Sequence, residues 1–464
     1  MSEIAVDSSP QAPQKDDHPG LPLPRRWWAI VAISFGTSLL VIDGAIANVA
    51  LPTIARDLGV SNAVVTNVVT VYQLVLVMFL LPFSSWGDRI GHRRAYQYGQ
   101  ALFMIASGLC LLADSFTVLM LLRALQALGA AMALSVSAAM MRQIYPASRL
   151  GTGLGVNSVI VASSSALAPT VGGYIVGHWD WQWVFVVAAP LAVISLALGQ
   201  ALPDPEKRDR KTDWISSAWS AVTMLLVIGG LQLATHGSAV IGTVVGLAGI
   251  ASMVALVRRE KDSDAPVLPV DLLRRPAIGL SALSSMTAFI AAASLMIALP
   301  FRLELGMGYD PQEVGMLLLP FPLTMLVVSP LAGWMSDRIP ATKLGVTGLA
   351  IVIVAMLVFA FMPDNPGKLA ISLNLVLMAI GFGLFFAPNT RLLISSAPRD
   401  RAAAAGGVQS TARLTGQALA AVVVGILLAA NLGMGPMPMF VACGFAAFAA
   451  GCALLRFRYR AAAA

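Results

Sequence analysis

The chain of 464 residues is 58% hydrophobic and only 11% charged. Its mean hydropathy of +0.79 excludes an ordinary soluble domain, in which about a quarter of the residues are charged. The net charge of +7 does not indicate nucleic-acid binding, because no basic segment carries interleaved aromatics.

Residues 1–26, "MSEIAVDSSPQAPQKDDHPGLPLPRR", are polar and proline-rich and read as a flexible cytoplasmic tail. Fourteen apolar runs follow, at 27–51, 63–84, 95–113, 116–138, 150–176, 181–202, 214–234, 239–257, 277–300, 312–333, 342–362, 368–391, 403–430 and 436–456. Each approaches the roughly 20 residues that cross a hydrocarbon core as a helix. No polar faces exist to cover so many inside a soluble protein. Cys110, Cys443 and Cys452 fall within these runs, as small packing residues rather than disulfide partners or metal ligands, so no metal site is expected.

Lysine and arginine test the topology, since cytoplasmic loops hold an excess of them. With the N-terminus inside, the even-numbered turns and the tails hold 25 of the 30. The outer loops hold Arg56, Arg302 and Lys368, while Arg123 and Arg413 lie within runs. This sorting predicts fourteen spanning helices with both termini cytoplasmic.

The turn after the second run, "SSWGDRIGHRRAYQYG", aligns without gaps with the turn after the tenth, "GWMSDRIPATKLGVTG". Asp88 meets Asp337, Arg89 meets Arg338, Ile90 meets Ile339 and Gly99 meets Gly348. The chain therefore divides into an N-terminal six-helix half at 27–202 and a C-terminal one at 277–456. Two inserted helices with flanking cytoplasmic loops fill 203–276, and 457–464 forms a second tail. Parallel halves related by an axis along the membrane normal are one transporter architecture, with substrate held at the midplane between them.

Asp43, in "VIDGAIANVALP", is the only acid deep inside any run, about 24 Å along its helix and beyond the midplane. An ionised carboxylate there is costly, so a group that gains and loses a proton, or also binds a cation, explains it. The alternative is a permanent ion pair or packing hydrogen bond, with Arg123 as a candidate partner. A guanidinium inside a span stays charged and must face a cavity or a partner. Its alternative role is structural, bonded to backbone carbonyls, with Gln126 on the same face. Arg413 in "QSTARLTGQ" lies nearer the cytoplasmic end, within reach of snorkelling. Asp88 and Arg89 can cap a neighbouring helix N-terminus and so latch one conformation, or simply anchor the topology.

Several motifs together resemble the major facilitator superfamily, in particular its fourteen-helix drug/proton antiporter branch, from Trp27 to Arg456. "DRIGHRR" is similar to the loop after the second helix, "LLRALQALGAA" to the arginine motif of the fourth, "APTVGG" to the antiporter motif of the fifth, and "IDGAIANVALP" to the branch's first-helix signature. Ser84, Ala127 and Ala168 stand where glycine is usual. The resemblance implies an all-α integral membrane fold of two six-helix repeats plus two inserted helices. It implies proton coupling by Arg123 with Asp43, and a latch for the outward-open state from Asp88, Arg89, Asp337 and Arg338. It also implies a leak-sealing bend from Pro169, Gly172 and Gly173, and a cavity lined by the first, fourth, ninth and twelfth helices. Gln126, Phe382, Phe385, Phe386 and Asn389 are candidates for that cavity.

The expected function is proton-driven export of lipophilic, often cationic, drug-like molecules or metabolites across the bacterial cytoplasmic (inner) membrane. Uptake of a small metabolite is the alternative. An enzyme is disfavoured, since no HExxH, GxSxG or GxxxxGK[ST] occurs. Partners are a small-molecule substrate, protons and membrane lipid, with the proton gradient as energy source, no cofactor, and a monomer as the working unit.

Overall fold

A computed structural model describes residues 20–145, 150–203, 214–236, 239–260, 270–363, 366–398 and 402–462. Most of the first tail, and the loops at 204–213 and 261–269 on either side of the inserted helices, lie outside them. Every described element is helical. The fourteen runs are occupied in order by α1 (Leu23–Asp57), α2 (Asn67–Ile90), α3 (His92–Leu109), α4 (Phe116–Ile144) and α5 (Leu150–His178). The next are α6 (Trp183–Ala201), α7 (Trp214–His236), α8 (Ala239–Glu260) and α9 (Pro276–Phe301). The last are α10 (Pro311–Met335), α11 (Ala341–Ala360), α12 (Lys368–Ser395), α13 (Ala402–Ala429) and α14 (Met437–Ala462).

Among the described residues, 11 helices are long and apolar enough to cross a membrane, against the fourteen expected. α3 opens on His92, Arg93 and Arg94, which dilutes its hydropathy. In α7 the side chains described without a break are those of Ala218–Ala234, and side chains 151–159 of α5 are outside the described set.

Prolines set the local breaks by removing a ladder donor and clashing with the preceding turn. α10 divides at Leu319, just before Pro320, and α6 divides before Ala189–Leu198, which carries Pro190 at its start. α1 begins at Leu23, inside the segment expected as tail. Arg25 donates from Nε and Nη2 to the carbonyls of Ala201 and Leu202 at 3.0 and 3.1 Å. It thereby satisfies the end of α6, whose last carbonyls have no helical partner.

The repeat is visible in packing. A β-carbon at Gly99 would lie 2.6 Å from the Gly129 carbonyl oxygen, and one at Gly129 2.6 Å from that of Gly99, so α3 and α4 touch backbone to backbone. Gly348, the repeat partner of Gly99, meets Gly381 the same way, with 2.5 Å left for a β-carbon on Gly381. Only glycine permits such approach. The inserted α7 and α8 pack on each other, and α7 packs against α2 and α13. Val240, Val244, Leu247 and Ile250 of α8 stay exposed, an apolar stripe suited to lipid.

Both described ends of the chain lie on one face, here the termini face. On the opposite, far side, one buried cluster joins the two halves. It holds Ile46, Ala47 and Ala50 of α1, Ile290, Ile297 and Ala298 of α9, and Ala420, Ala421, Val424 and Leu428 of α13. Toward the termini face, Ala32, Tyr96, Val136 and Met140 form a cluster within the N-terminal half, joined from the other half, among the described residues, by Leu414 alone. Ile278, Ala282, Leu393, Ala405 and Val408 form another within the C-terminal half. The halves are thus sealed at the far side and keep separate cores on the termini side.

Candidate functional site

α1 and α4 bring Asp43 and Arg123, 80 positions apart in sequence, into a buried ion pair. Arg123 Nη1 donates to both carboxylate oxygens, at 3.1 and 2.9 Å, and each side chain is 1% exposed. Tyr72 also hydrogen-bonds to Asp43. The arginine has further support: Nη1 donates to Gln126 Oε1 at 2.8 Å and Nε to the Val68 carbonyl at 3.3 Å. Its guanidinium stands over the rings of Tyr72, 4.3 Å from the centroid, and Phe185, 5.0 Å. Gln126 passes the chain on, donating to Ser107 Oγ at 2.8 Å.

This cradle decides what the pair can do. Removing one partner of a buried ion pair ordinarily costs about 3–5 kcal/mol, because the other charge is stranded. Here Arg123 keeps an amide oxygen, a carbonyl and two ring faces if Asp43 becomes neutral. Of the alternatives left open by the sequence, the arrangement present is the ion pair. Gln126, expected in the substrate cavity, is instead fully buried in this network.

The residues of "APTVGG" lie at the seal between halves. A β-carbon at Gly172 would come 2.8 Å from Ile46 Cγ1, and one at Gly173 2.5 Å from the Pro311 carbonyl oxygen. A β-carbon at Gly315 of α10 would meet the Pro169 carbonyl oxygen at 2.5 Å. Thr170 adds a cross-half hydrogen bond to the Gly315 carbonyl at 3.3 Å. Arg56 of α1 approaches Glu304, just past α9, at 3.9 Å, another contact across the halves on the far side.

The repeated acids have diverged. Asp88 Oδ1 pairs with His92 Nε2 at 2.7 Å in the first turn of α3. The N-cap of α3 is Gly91, with no side-chain cap, so at α3 this aspartate meets a ring and no backbone amide. Asp337 instead pairs with Arg391 of α12, which also donates to Ser336 Oγ at 2.8 Å. Arg89 is exposed, and Arg338 lies over the Trp334 ring at 4.0 Å.

Three further cavity candidates prove to be core. Phe382 and Phe385 are 0% and 1% exposed, packed inside the C-terminal half. Asn389 is buried too, donating to the Ser281 carbonyl at 3.1 Å and Ser285 Oγ at 2.8 Å. Its amide oxygen accepts from Arg456 Nη1 at 2.6 Å. Arg456 was expected as a tail cation, yet it is 3% exposed and also donates to Ser281 Oγ at 2.7 Å and Thr342 Oγ1 at 3.3 Å. The signal that could have found it is its place inside the last apolar helix, six residues before that helix ends. Phe386 alone remains half-buried, stacked on Phe289 of α9 with centroids 4.2 Å apart.

Among the described residues no cluster of His, Cys, Asp or Glu can hold a metal ion. The buried pair, the sealed far side and the separate cores on the termini side are the parts of a transporter rather than of an enzyme.

The sequence profile of the Major Facilitator Superfamily matches residues 33–421 and again 281–463. The chain is 41% identical over 415 residues to the "Uncharacterized transporter YebQ" of Escherichia coli (strain K12), covering 88% of this chain and 90% of the relative. It is 29% identical to the "Multidrug resistance protein Stp" of Mycobacterium tuberculosis, over 87% of this chain and 76% of that protein. A bacterial homologue of the human lysosomal transporter Spinster, solved inward-facing and unoccupied, superposes with a TM-score of 0.68. It is 16% identical and covers 94% of this chain and 98% of its own. On this evidence the chain is a multi-pass membrane transporter, not an enzyme, and it belongs to the Major Facilitator Superfamily.

Proposed function

We propose that this transporter is a proton-coupled exporter of drug-like molecules or metabolites in the bacterial cytoplasmic membrane. It crosses fourteen times with both termini in the cytoplasm, so the termini face is cytoplasmic and the described conformation faces inward. The observation that carries the reading is the buried Asp43–Arg123 pair with its spare partners for Arg123. In the outward-facing state a proton from outside adds to the Asp43 carboxylate and breaks the ion pair, while Gln126 and the two rings hold Arg123. Return to the inward-facing state lets the proton leave to the cytoplasm and the pair re-form. Each charge crossing 100 mV supplies about 2.3 kcal/mol. The contacts of Pro169, Gly172 and Gly173 with α1 and α10 support a seal against leak in this state. The latch role of Asp88, Arg89, Asp337 and Arg338 belongs to the opposite, outward-open state.

The test is substrate movement in everted vesicles with an imposed pH gradient. Asp43→Asn, which keeps size and hydrogen bonding but cannot titrate, is expected to lower uphill export about 100-fold and flatten its pH dependence, with the protein still in the membrane. Normal pumping by this variant would show that Asp43 is only structural. Movement in the opposite direction under the same gradient would mean uptake of a small metabolite.

A further inference from the structure

Given export by this chain, we infer that Arg413 with the Phe289–Phe386 pair forms the cargo site, and that the cargo is an aromatic organic anion, a carboxylate or sulfonate.

Among the described charged residues, only Asp43, Arg123 and Arg413 sit more than six residues from either end of a spanning helix. The first two neutralise each other. Arg413 lies eleven residues past the start of α13, half-buried, with no hydrogen bond or ion pair among the described residues. Its direction follows from helix periodicity. Ala420 and Val424, seven and eleven residues on, share its face, and both belong to the cluster that seals the halves. Arg413 is therefore on the stripe that two turns further on enters the cluster shared by the two halves, on the side where the halves keep separate cores.

Phe289 occupies the matching place on α9. Ala293, one turn above it, packs against the same seal. A β-carbon on Gly416, three residues after Arg413, would lie 2.9 Å from Phe289 Cβ, so the aromatic pair abuts α13 one turn from the guanidinium. Phe386 completes the stack.

A guanidinium at this depth is costly unless hydrated or met by acceptors. Cargo that displaces its water must return an anionic group, and a planar carboxylate or a sulfonate does so with two parallel hydrogen bonds. The stacked rings offer an apolar aromatic face beside it. A cationic cargo meets only repulsion, because Asp43 is held by Arg123. This replaces the expectation of cationic cargo.

The test is binding to purified full-length protein in detergent micelles, read by microscale calorimetry with three probes sharing one ring: 2-naphthoate, 2-naphthylmethanol and 2-naphthylmethylammonium. Naphthoate is expected to bind at least about tenfold more tightly than the other two. Arg413→Gln should remove that preference and Arg413→Lys should keep part of it, each checked as a monodisperse peak. Phe386→Leu should weaken naphthoate and naphthylmethanol alike. Equal binding of the three, preference for the ammonium, no binding of naphthoate, or a preference that survives Arg413→Gln would each overturn the inference. Loss of proton-coupled export in Asp43→Asn, measured separately, would leave the exporter reading standing in any of these cases.

Discussion

The two halves repeat one fold, and within their spanning helices each buries an arginine, Arg123 and Arg456, but with different company. In the N-terminal half Arg123 faces a carboxylate, Asp43, at 2.9 Å. In the C-terminal half Arg456 donates to Ser281, Asn389 and Thr342, all neutral. The first arrangement contains an acid whose protonation would change the number of charges in the bundle. The second holds α9, α11, α12 and α14 together through polar contacts. The same divergence recurs at the repeated acids, where Asp88 pairs within its own turn and Asp337 reaches across to α12. The two halves share the helices and the glycine contacts but surround their buried arginines differently.

The sharpest way to break this contrast is to remove each arginine in turn. Arg123→Ala should strand Asp43, lower stability by about 3–5 kcal/mol and reduce gradient-driven flux at least about 100-fold, measured in vesicles beside a thermal unfolding curve. Asp88→Asn should slow cycling about tenfold if the latch holds the outward-open state, whereas Asp337→Asn should cost less than about threefold, since its partner is exposed and surface pairs contribute about 0–1 kcal/mol. Equal losses in both would show that the repeats still work as equivalents. Arg456→Met should have the smallest effect on transport, within about twofold, while lowering stability by about 1.5–3 kcal/mol through lost charge-assisted hydrogen bonds. A large flux defect at unchanged stability would move coupling into the C-terminal half.

Much of this was legible in the residues, for identifiable reasons. Apolar runs of membrane length had to become helices, because a backbone in lipid must satisfy its own hydrogen bonds. Asp43 stood out because an ionised acid in such a run is costly and needs a partner or a proton. The pairing of Asp88 with His92 was not legible, since an i,i+4 acid and imidazole across a helix junction leave no mark on hydropathy or charge sorting. Arg456 was misplaced because an arginine near the end of a span looks the same whether it snorkels outward or turns into the bundle.

The sequence by itself determined the helical fold, the internal repeat, the special positions of Asp43 and Arg123 and the close-packing glycines, all of which follow from local hydropathy, spacing and backbone sterics. Only the tertiary structure decided that Phe382, Phe385, Gln126 and Asn389 are core while Phe386 and Arg413 are not. A spanning helix is apolar all round, so its hydropathy carries no record of which face meets lipid, protein or the space between the halves.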